Sequence, residues 1–207
     1  MTVKKRIFYN FIKRMTDILL SVTCLIFTSP ILLFTAMAIM LEDGYPVFFR
    51  QMRIGKNGKP FKMIKLRSMQ KNAESLLAEL SEAEKKEFAR NYKLKKDPRI
   101  TRVGRFIRRT SIDELPQFWN VIRGDMSLVG PRPPLLAERE SYGASLEKIL
   151  SVRPGITGFW QVHGRSETNF SERIQMNEYY VEHRGIILDL KILLATIWVV
   201  CLGRGAQ

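Results

Sequence analysis

The sequence predicts a mainly α-helical protein with one small β-hairpin, attached to a membrane. Three observations carry this. Ile18 to Leu41 holds no charged residue over about 24 positions, enough to enter a bilayer or cross it. Several later segments repeat apolar residues at helical spacing. Pro46 to Met69 places strand-like runs on both sides of an Asn-Gly pair. The 207 residues allow one functional unit, read as a basic N-terminus with the apolar run (1–45) followed by a body (46–207).

Charge narrows the partners. There are 34 Lys and Arg against 20 Asp and Glu, a formal net charge of +14. So basic a chain favours nucleic acid, acidic lipid headgroups or a phosphorylated substrate. Cys24 and Cys201 lie in apolar runs without metal-ligand spacing and give no disulfide framework. His163 and His183 have no sequence-local partners for a metal.

The apolar run has three readings. Lys4, Lys5 and Arg6 before it and Ala36-Met37-Ala38 within it resemble a signal peptide, but the apolar stretch is too long for one. A kinked spanning helix and a re-entrant helix fit better. Pro30 lacks an N–H and its ring clashes with the Ile26 carbonyl, so the helix should kink or break there. The freed carbonyls then need donors in lipid. Thr28 and Ser29 carry hydroxyls, and Ser29 reaches toward Leu25 or Ile26. Lys13 and Arg14 precede the run, and Arg50, Arg53, Lys56 and Lys59 follow it. Positive charge marks the cytoplasmic side, and both ends carry it. Two arms of about 12 residues, roughly 18 Å each, would enter one leaflet and return. On the residues alone both readings stay open.

The hairpin pairs Val47-Phe48-Phe49 with Phe61 to Ile64 across a turn at Asn57-Gly58. Lys62, Lys65 and Arg67 form a solvated basic edge or meet phosphate. Asn72 to Lys96 reads as a helix, with Leu76, Leu77, Leu80 and Phe88 as its stripe, and Asp97-Pro98 ends it. Arg99, Arg102, Arg105, Arg108 and Arg109 then form a cationic stripe opposite Ile100, Val103, Phe106 and Ile107. It would rest on anionic lipid or cradle a diphosphate.

Thr110 to Gln117 reads as a helix start, with Ser111 and Glu114 matching a capping box. Leu115, Phe118, Trp119 and Ile122 share an apolar face; Asp113, Gln117 and Asn120 share a polar one. Asp113 thus sits at the positive end of a helix, just after five arginines. Phosphoryl transfer needs a nucleophile or base, a divalent metal and cations around the phosphates. A carboxylate can be the nucleophile and form an acyl phosphate, and Mg²⁺ takes one or two carboxylates with substrate phosphates. Downstream, Pro131 and Pro133 fix the backbone of Arg132, which suits an arginine meeting phosphate in one geometry.

These stretches together resemble the small monotopic phosphoglycosyl transferases, the bacterial sugar transferases. The resemblance runs through Ser29-Pro30, Phe61 to Met69, Asp97 to Gln117, Asn120 to Pro133, Val152 to Arg165, and Asp189-Leu190-Lys191, nearly the whole chain in order. Larger relatives carry an N-terminal domain of several spans; this chain resembles their minimal catalytic unit. The resemblance implies transfer of a sugar phosphate from a UDP-sugar to polyprenyl (undecaprenyl) phosphate, with release of UMP. It makes Asp113 the nucleophile and a Mg²⁺ (or Mn²⁺) contact, supported by Glu114. It places Lys65, Arg108 and Arg132 at the phosphates, and Arg67, on or just after the second strand, is a further phosphate-binding candidate. It makes Ser29-Pro30 the kink of a re-entrant helix and seats the fold at the cytoplasmic face of the bacterial inner membrane.

Val152 to Gln161 reads as a tight glycine-containing loop. By resemblance it borders the nucleotide-sugar pocket, with Arg153 and Arg165 as phosphate or uridine contacts and sugar choice near Phe159-Trp160 and His163. Ile186 to Leu202 reads as an interfacial helix, broken by Asp189 and Lys191 and carrying Trp198 near its end. The expected partners are a UDP-sugar, polyprenyl phosphate and anionic phospholipid, with no nucleic acid. A basic membrane-attached module without catalysis is the competing class. It gives no reason for an acid pair beside a Pro-Arg-Pro loop.

Overall fold

The computed structural model describes residues 3–78, 94, 97–164 and 168–201. Most of these are helical. The first element, α1 (Val3–Asp43), is one helix of 41 residues that continues through Pro30. Of the expected kink or break, the break does not form. Ile26 loses its backbone donor to the proline, and the Ser29 hydroxyl donates to that carbonyl instead at 2.8 Å. Thr28 and Thr35 donate to Cys24 and Ile31 in the same way.

The hairpin follows as β1 (Phe48–Ile54) and β2 (Pro60–Leu66), antiparallel, with Phe48 opposite Leu66 and Ile54 opposite Pro60. Its connection is longer than the two-residue turn expected. Gly55 to Lys59 close it through a 3-10 turn, with Asn57 and Gly58 both at positive φ. The Asn-Gly pair still supplies the left-handed backbone it was chosen for. A short helix, α2 (Ala73–Ala78), falls in the predicted Asn72–Lys96 helix, most of which lies outside the described residues.

Next come α3 (Arg102–Arg109) and α4 (Gln117–Arg123). Helix α4 buries polar residues beside apolar ones: Val121 joins the core and Phe118 packs against it. Gln117, Asn120 and Val121 are buried, while Trp119 is half exposed. The predicted polar stripe therefore belongs to the inner face. Asn120 explains why: it is fully buried, accepts from the Ile64 amide at 3.0 Å and donates to the Lys62 carbonyl at 2.9 Å. One side chain thus satisfies the open edge of β2 as a third strand would.

Val152–Gln161 is more than a loop. Strand β3 (Ser127–Val129) pairs in parallel with β4 (Gly155–Thr157). Between them lie the Pro131–Pro133 loop and helix α5 (Ser145–Leu150). The chain ends with α6 (Phe159–His163), α7 (Phe170–His183) and α8 (Ile186–Cys201). The main core joins Phe61, Met63, Val121, Met126, Leu128, Val129, Tyr180, Val181 and Ile192. A second cluster of Ile39, Val47, Leu66 and Ile107 fastens the end of α1 to the hairpin and α3.

Both ends of α1 grip the body. Near its start, Arg14 donates to the Val121 and Ile122 carbonyls at 2.7 and 2.9 Å, capping the C-terminus of α4. Asp17 accepts from the Leu128 amide at 3.0 Å. Tyr9 and Lys13 both reach Asp189 of α8 at 2.8 Å. At its far end, Glu42 accepts from the Arg102 and Val103 amides and caps the N-terminus of α3. The N-terminal segment is thus built into the body. Between these anchors Leu19, Ile26, Phe27, Leu33 and Phe34 are exposed. On α8, Asp189 and Ile192 face inward, while Ile187, Leu190, Leu194, Ile197 and Trp198 face outward.

Candidate active site

The site begins with the packing of α3 on the hairpin. Thr101 caps α3 by accepting from the Gly104 amide at 2.8 Å. A Cβ on Gly104 would lie 2.0 Å from the Ser68 carbonyl, so only glycine lets α3 come this close to the end of β2. The approach brings Arg108 Nε to 2.8 Å from Ser68 Oγ. The chain then reverses through Ser111 at φ 58 and enters a single 3-10 turn, Ile112–Glu114.

The expected capping box is absent. Ser111 is left-handed and its side chain caps nothing. Glu114 turns instead to β2, where Lys65 Nζ donates to Glu114 Oε1 at 2.6 Å. Asp113 beside it is 8% exposed. Burial pushes the Asp113 carboxyl up to about 6, and the Glu114 charge adds to this; Lys65 and Arg108 pull the other way. Burial would raise Glu114 too. There Lys65, then Arg132 and Arg53, outweigh it and hold the carboxyl below the ordinary glutamate range. Two adjacent acids are thus split by their surroundings: one is costly to ionise and the other is firmly ionised.

Arg132 comes from the loop after β3. Gly130 and Gly155 approach so closely that a Cβ on either would clash with backbone. The Gly130 amide donates to the Thr157 carbonyl and the Gly155 amide to Pro131, both at 2.9 Å. Arg132 itself is exposed, with its guanidinium 5.6 Å from the Trp160 ring centre. Arg173 lies over the same ring at 4.9 Å.

The sequence did not single out Arg53 for the site. It is 5% exposed on β1, donates Nη1 to the Pro133 carbonyl at 3.0 Å and Nη2 to Gln51 at 2.7 Å, and leaves Nε without a partner. Burial, then the Arg132 charge, lower its guanidinium to about 10, against Glu138, Tyr142 and Glu114. A buried cation beside a second cation is electrostatically strained. The available signal was its strand register: Arg53 sits opposite the buried Phe61.

Five predicted residues therefore converge: Asp113, Glu114, Lys65, Arg108 and Arg132. Two do not. Arg67 is turned away and buried, donating to the Asp43 and Gly44 carbonyls and pairing with Asp43 at 3.0 Å. It ties β2 to the end of α1. Arg153 donates to the Gly124 carbonyl at 2.9 Å, at the end of α4 away from Asp113. Arg165 lies outside the described residues. The arginine stripe also divides: Arg99 pairs with Asp97 at 2.7 Å, Arg108 enters the site, and Arg102, Arg105 and Arg109 are exposed.

Among the described residues no three His, Cys, Asp or Glu side chains converge. The donor set at the site is two hard carboxylates. That fits Mg²⁺ or Mn²⁺ completed by substrate oxygens and water, and a cation there would favour the ionised form of Asp113.

Comparison with known proteins places the chain in a family. Residues 8–203 match the bacterial sugar transferase family. The chain is 41% identical over 197 residues to the exopolysaccharide production protein ExoY of Sinorhizobium fredii, covering 94% of this chain and 87% of that one. It is 42% identical over 200 residues to the undecaprenyl-phosphate galactose phosphotransferase of Salmonella typhimurium, covering 95% of this chain and 42% of that one. It is 47% identical over 167 residues to the galactosyl transferase CpsE of Streptococcus agalactiae, covering 80% of this chain and 37% of that one. The chain thus spans most of the first relative and under half of the other two. Matched along nearly its whole length, the chain belongs to the bacterial sugar transferase family.

Proposed function

We propose that the chain moves a sugar phosphate from a UDP-sugar to polyprenyl phosphate at the cytoplasmic face of the bacterial inner membrane. The observation that carries this is the buried Asp113 carboxyl, poised near 6 among Lys65 and Arg108, beside an ionised Glu114. A carboxylate of that basicity is ionised at neutral pH and more nucleophilic than an ordinary aspartate. An Asp113 oxygen attacks the sugar-proximal phosphorus of the UDP-sugar. The bond from that phosphorus to the bridging oxygen breaks, and UMP leaves with the electron pair. The phosphosugar stays on Asp113 as an acyl phosphate. A phosphate oxygen of polyprenyl phosphate then attacks the same phosphorus and expels the carboxylate. Lys65, Arg108 and Arg132 spread positive charge around the phosphates. Held by Asp113 and Glu114 with substrate oxygens, Mg²⁺ or Mn²⁺ would supply further charge neutralisation.

A donor in water and an acceptor in lipid require a site at their boundary. The exposed apolar faces of α1 and α8, together with Phe106 and Trp119 beside the site, support such a seat. Arg14 and Glu42 are 28 positions apart on α1 and cap neighbouring helices of one body. That supports a helix whose two ends share a face, as re-entry at Ser29-Pro30 requires. The exposed apolar surfaces of α1 and α8 give anionic phospholipid a surface to meet, and nucleic acid has no part in the reaction.

The test is UMP release from a panel of UDP-sugars with polyprenyl phosphate and Mg²⁺ in detergent. The expected result is release with at least one sugar, lost in excess EDTA and restored by Mg²⁺ or Mn²⁺. No release with any UDP-sugar would refute the reaction, and full activity in EDTA would refute the metal.

A further inference from the structure

Asp189-Leu190-Lys191 contains two charges with opposite fates. Asp189 points inward and is saturated: Tyr9 and Lys13 donate to one carboxylate oxygen and Tyr180 to the other, at 2.7 to 2.8 Å. Its charge is spent inside the protein. Lys191 is exposed and, among the described residues, has no hydrogen-bond or ion-pair partner. It borders a groove of about 650 Å³ between the start of α1 and the α7–α8 corner. Phe8, Tyr9, Ile187 and Leu188 give this groove an apolar floor, and His183 and Lys191 stand beside them. Gly185 turns the corner without a side chain, so the groove stays open there.

The surroundings are cationic. Arg6 and Arg184 lie near enough to repel; burial and then Arg6 lower the Arg184 guanidinium. The acid next to His183, Glu182, is already engaged by Lys148 at 2.6 Å. An apolar trough beneath uncompensated positive charge complements an amphiphile with an anionic head. It lies where two helices turn exposed apolar faces outward, so such a molecule can enter from the side.

We propose that this groove is a binding site for one acidic phospholipid, its phosphate at Lys191, with the charge of Arg6 nearby adding attraction, and an acyl chain along Phe8, Ile187 and Leu188. The acceptor substrate is the less suitable occupant. The groove is built from α1, α7 and α8, whereas the acid pair and its cations come from β2, α3, the turn after it and the β3 loop. A phospholipid here would brace the start of α1, where Tyr9 and Lys13 hold α8.

The test does not depend on sugar-phosphate transfer. The full chain in detergent is exposed to equal amounts of phosphatidylglycerol and phosphatidylcholine, and adducts are weighed by native mass spectrometry. Phosphatidylglycerol should be retained in roughly tenfold preference, falling to parity in Lys191→Gln with Arg6→Gln. If the double variant does not fold, Lys191→Gln alone should reduce the preference. Phosphatidylglycerol with a photoreactive acyl chain should label peptides containing Phe8 and Tyr179 to Lys191 above those from Leu19 to Leu41. Equal retention of both lipids, an unchanged preference in a folded Lys191→Gln, uniform labelling along α1, or displacement by stoichiometric polyprenyl phosphate would each overturn the proposal.

Discussion

At the residue scale, the acid pair is where sequence and structure agree on position and differ on cause. The adjacency of Asp113 and Glu114 after a run of arginines was legible as a charged site. The capping-box reading of Glu114 was not sustained, because Ser111 takes a left-handed conformation that four sequence letters do not reveal. Burial decides the chemistry, and it is set by distant packing. The folded Asp113 carboxyl near 6 stands above its ordinary 3.8. The folded state therefore holds a proton more tightly than the unfolded chain. Stability falls as pH rises from about 4 to 6, and the full cost persists above that range. Asp113→Asn should abolish UMP release yet raise the melting temperature at pH 8, by a gain on the order of 2–3 kcal/mol that vanishes near pH 4. A variant less stable than the parent at pH 8 would mark Asp113 as structural. Arg53 makes a second prediction through its bond to Pro133. If it acts by placing Arg132, Arg53→Met should lower kcat/KM at least about tenfold in the parent and far less in an Arg132→Ala background. Equal losses in both backgrounds would mean that Arg53 supports folding alone.

At the scale of elements, periodicity located the hairpin, α1, α3, α4 and α8, left α5, α6 and α7 unread, and did not say which face of α4 turns inward. The sequence shows both faces of α4 correctly, yet water is not its only solvent. Asn120 serves the β2 edge, so the polar face turns inward and Trp119 turns out. Asn120→Ala would strand the Ile64 amide and the Lys62 carbonyl. It should cost about 2–4 kcal/mol, seen as a lower melting temperature in detergent, with lost activity following the lost fold. A variant that melts like the parent would show that these groups find other partners. The β3–β4 pairing was illegible for a different reason. Both strands are three residues long and joined across a distant crossover, so neither has a local signature. Their glycines were visible, but the clash that requires them, backbone against backbone at Gly130 and Gly155, is non-local.

At the scale of the molecule, α1 belongs to the body as much as to the membrane. Its start caps α4 and its end caps α3, a connection that no reading of an apolar run could supply. A reporter cysteine near Thr2, with Cys24 and Cys201 replaced, should stay hidden from an impermeant thiol reagent in intact cells. Replacing Ser29 and Pro30 with leucines should expose it in a fraction of molecules; labelling in the parent would contradict re-entry. Above this topology stands the claim that Asp113 carries the phosphosugar between a soluble donor and a lipid acceptor. The most direct measurement is the mass of the intact protein after mixing with its UDP-sugar and no polyprenyl phosphate. A gain of one phosphosugar should appear with an equal amount of UMP, map to the peptide holding Asp113, and disappear when polyprenyl phosphate is added. UMP formed only when polyprenyl phosphate is present, or an adduct that persists in Asp113→Asn, would contradict the account.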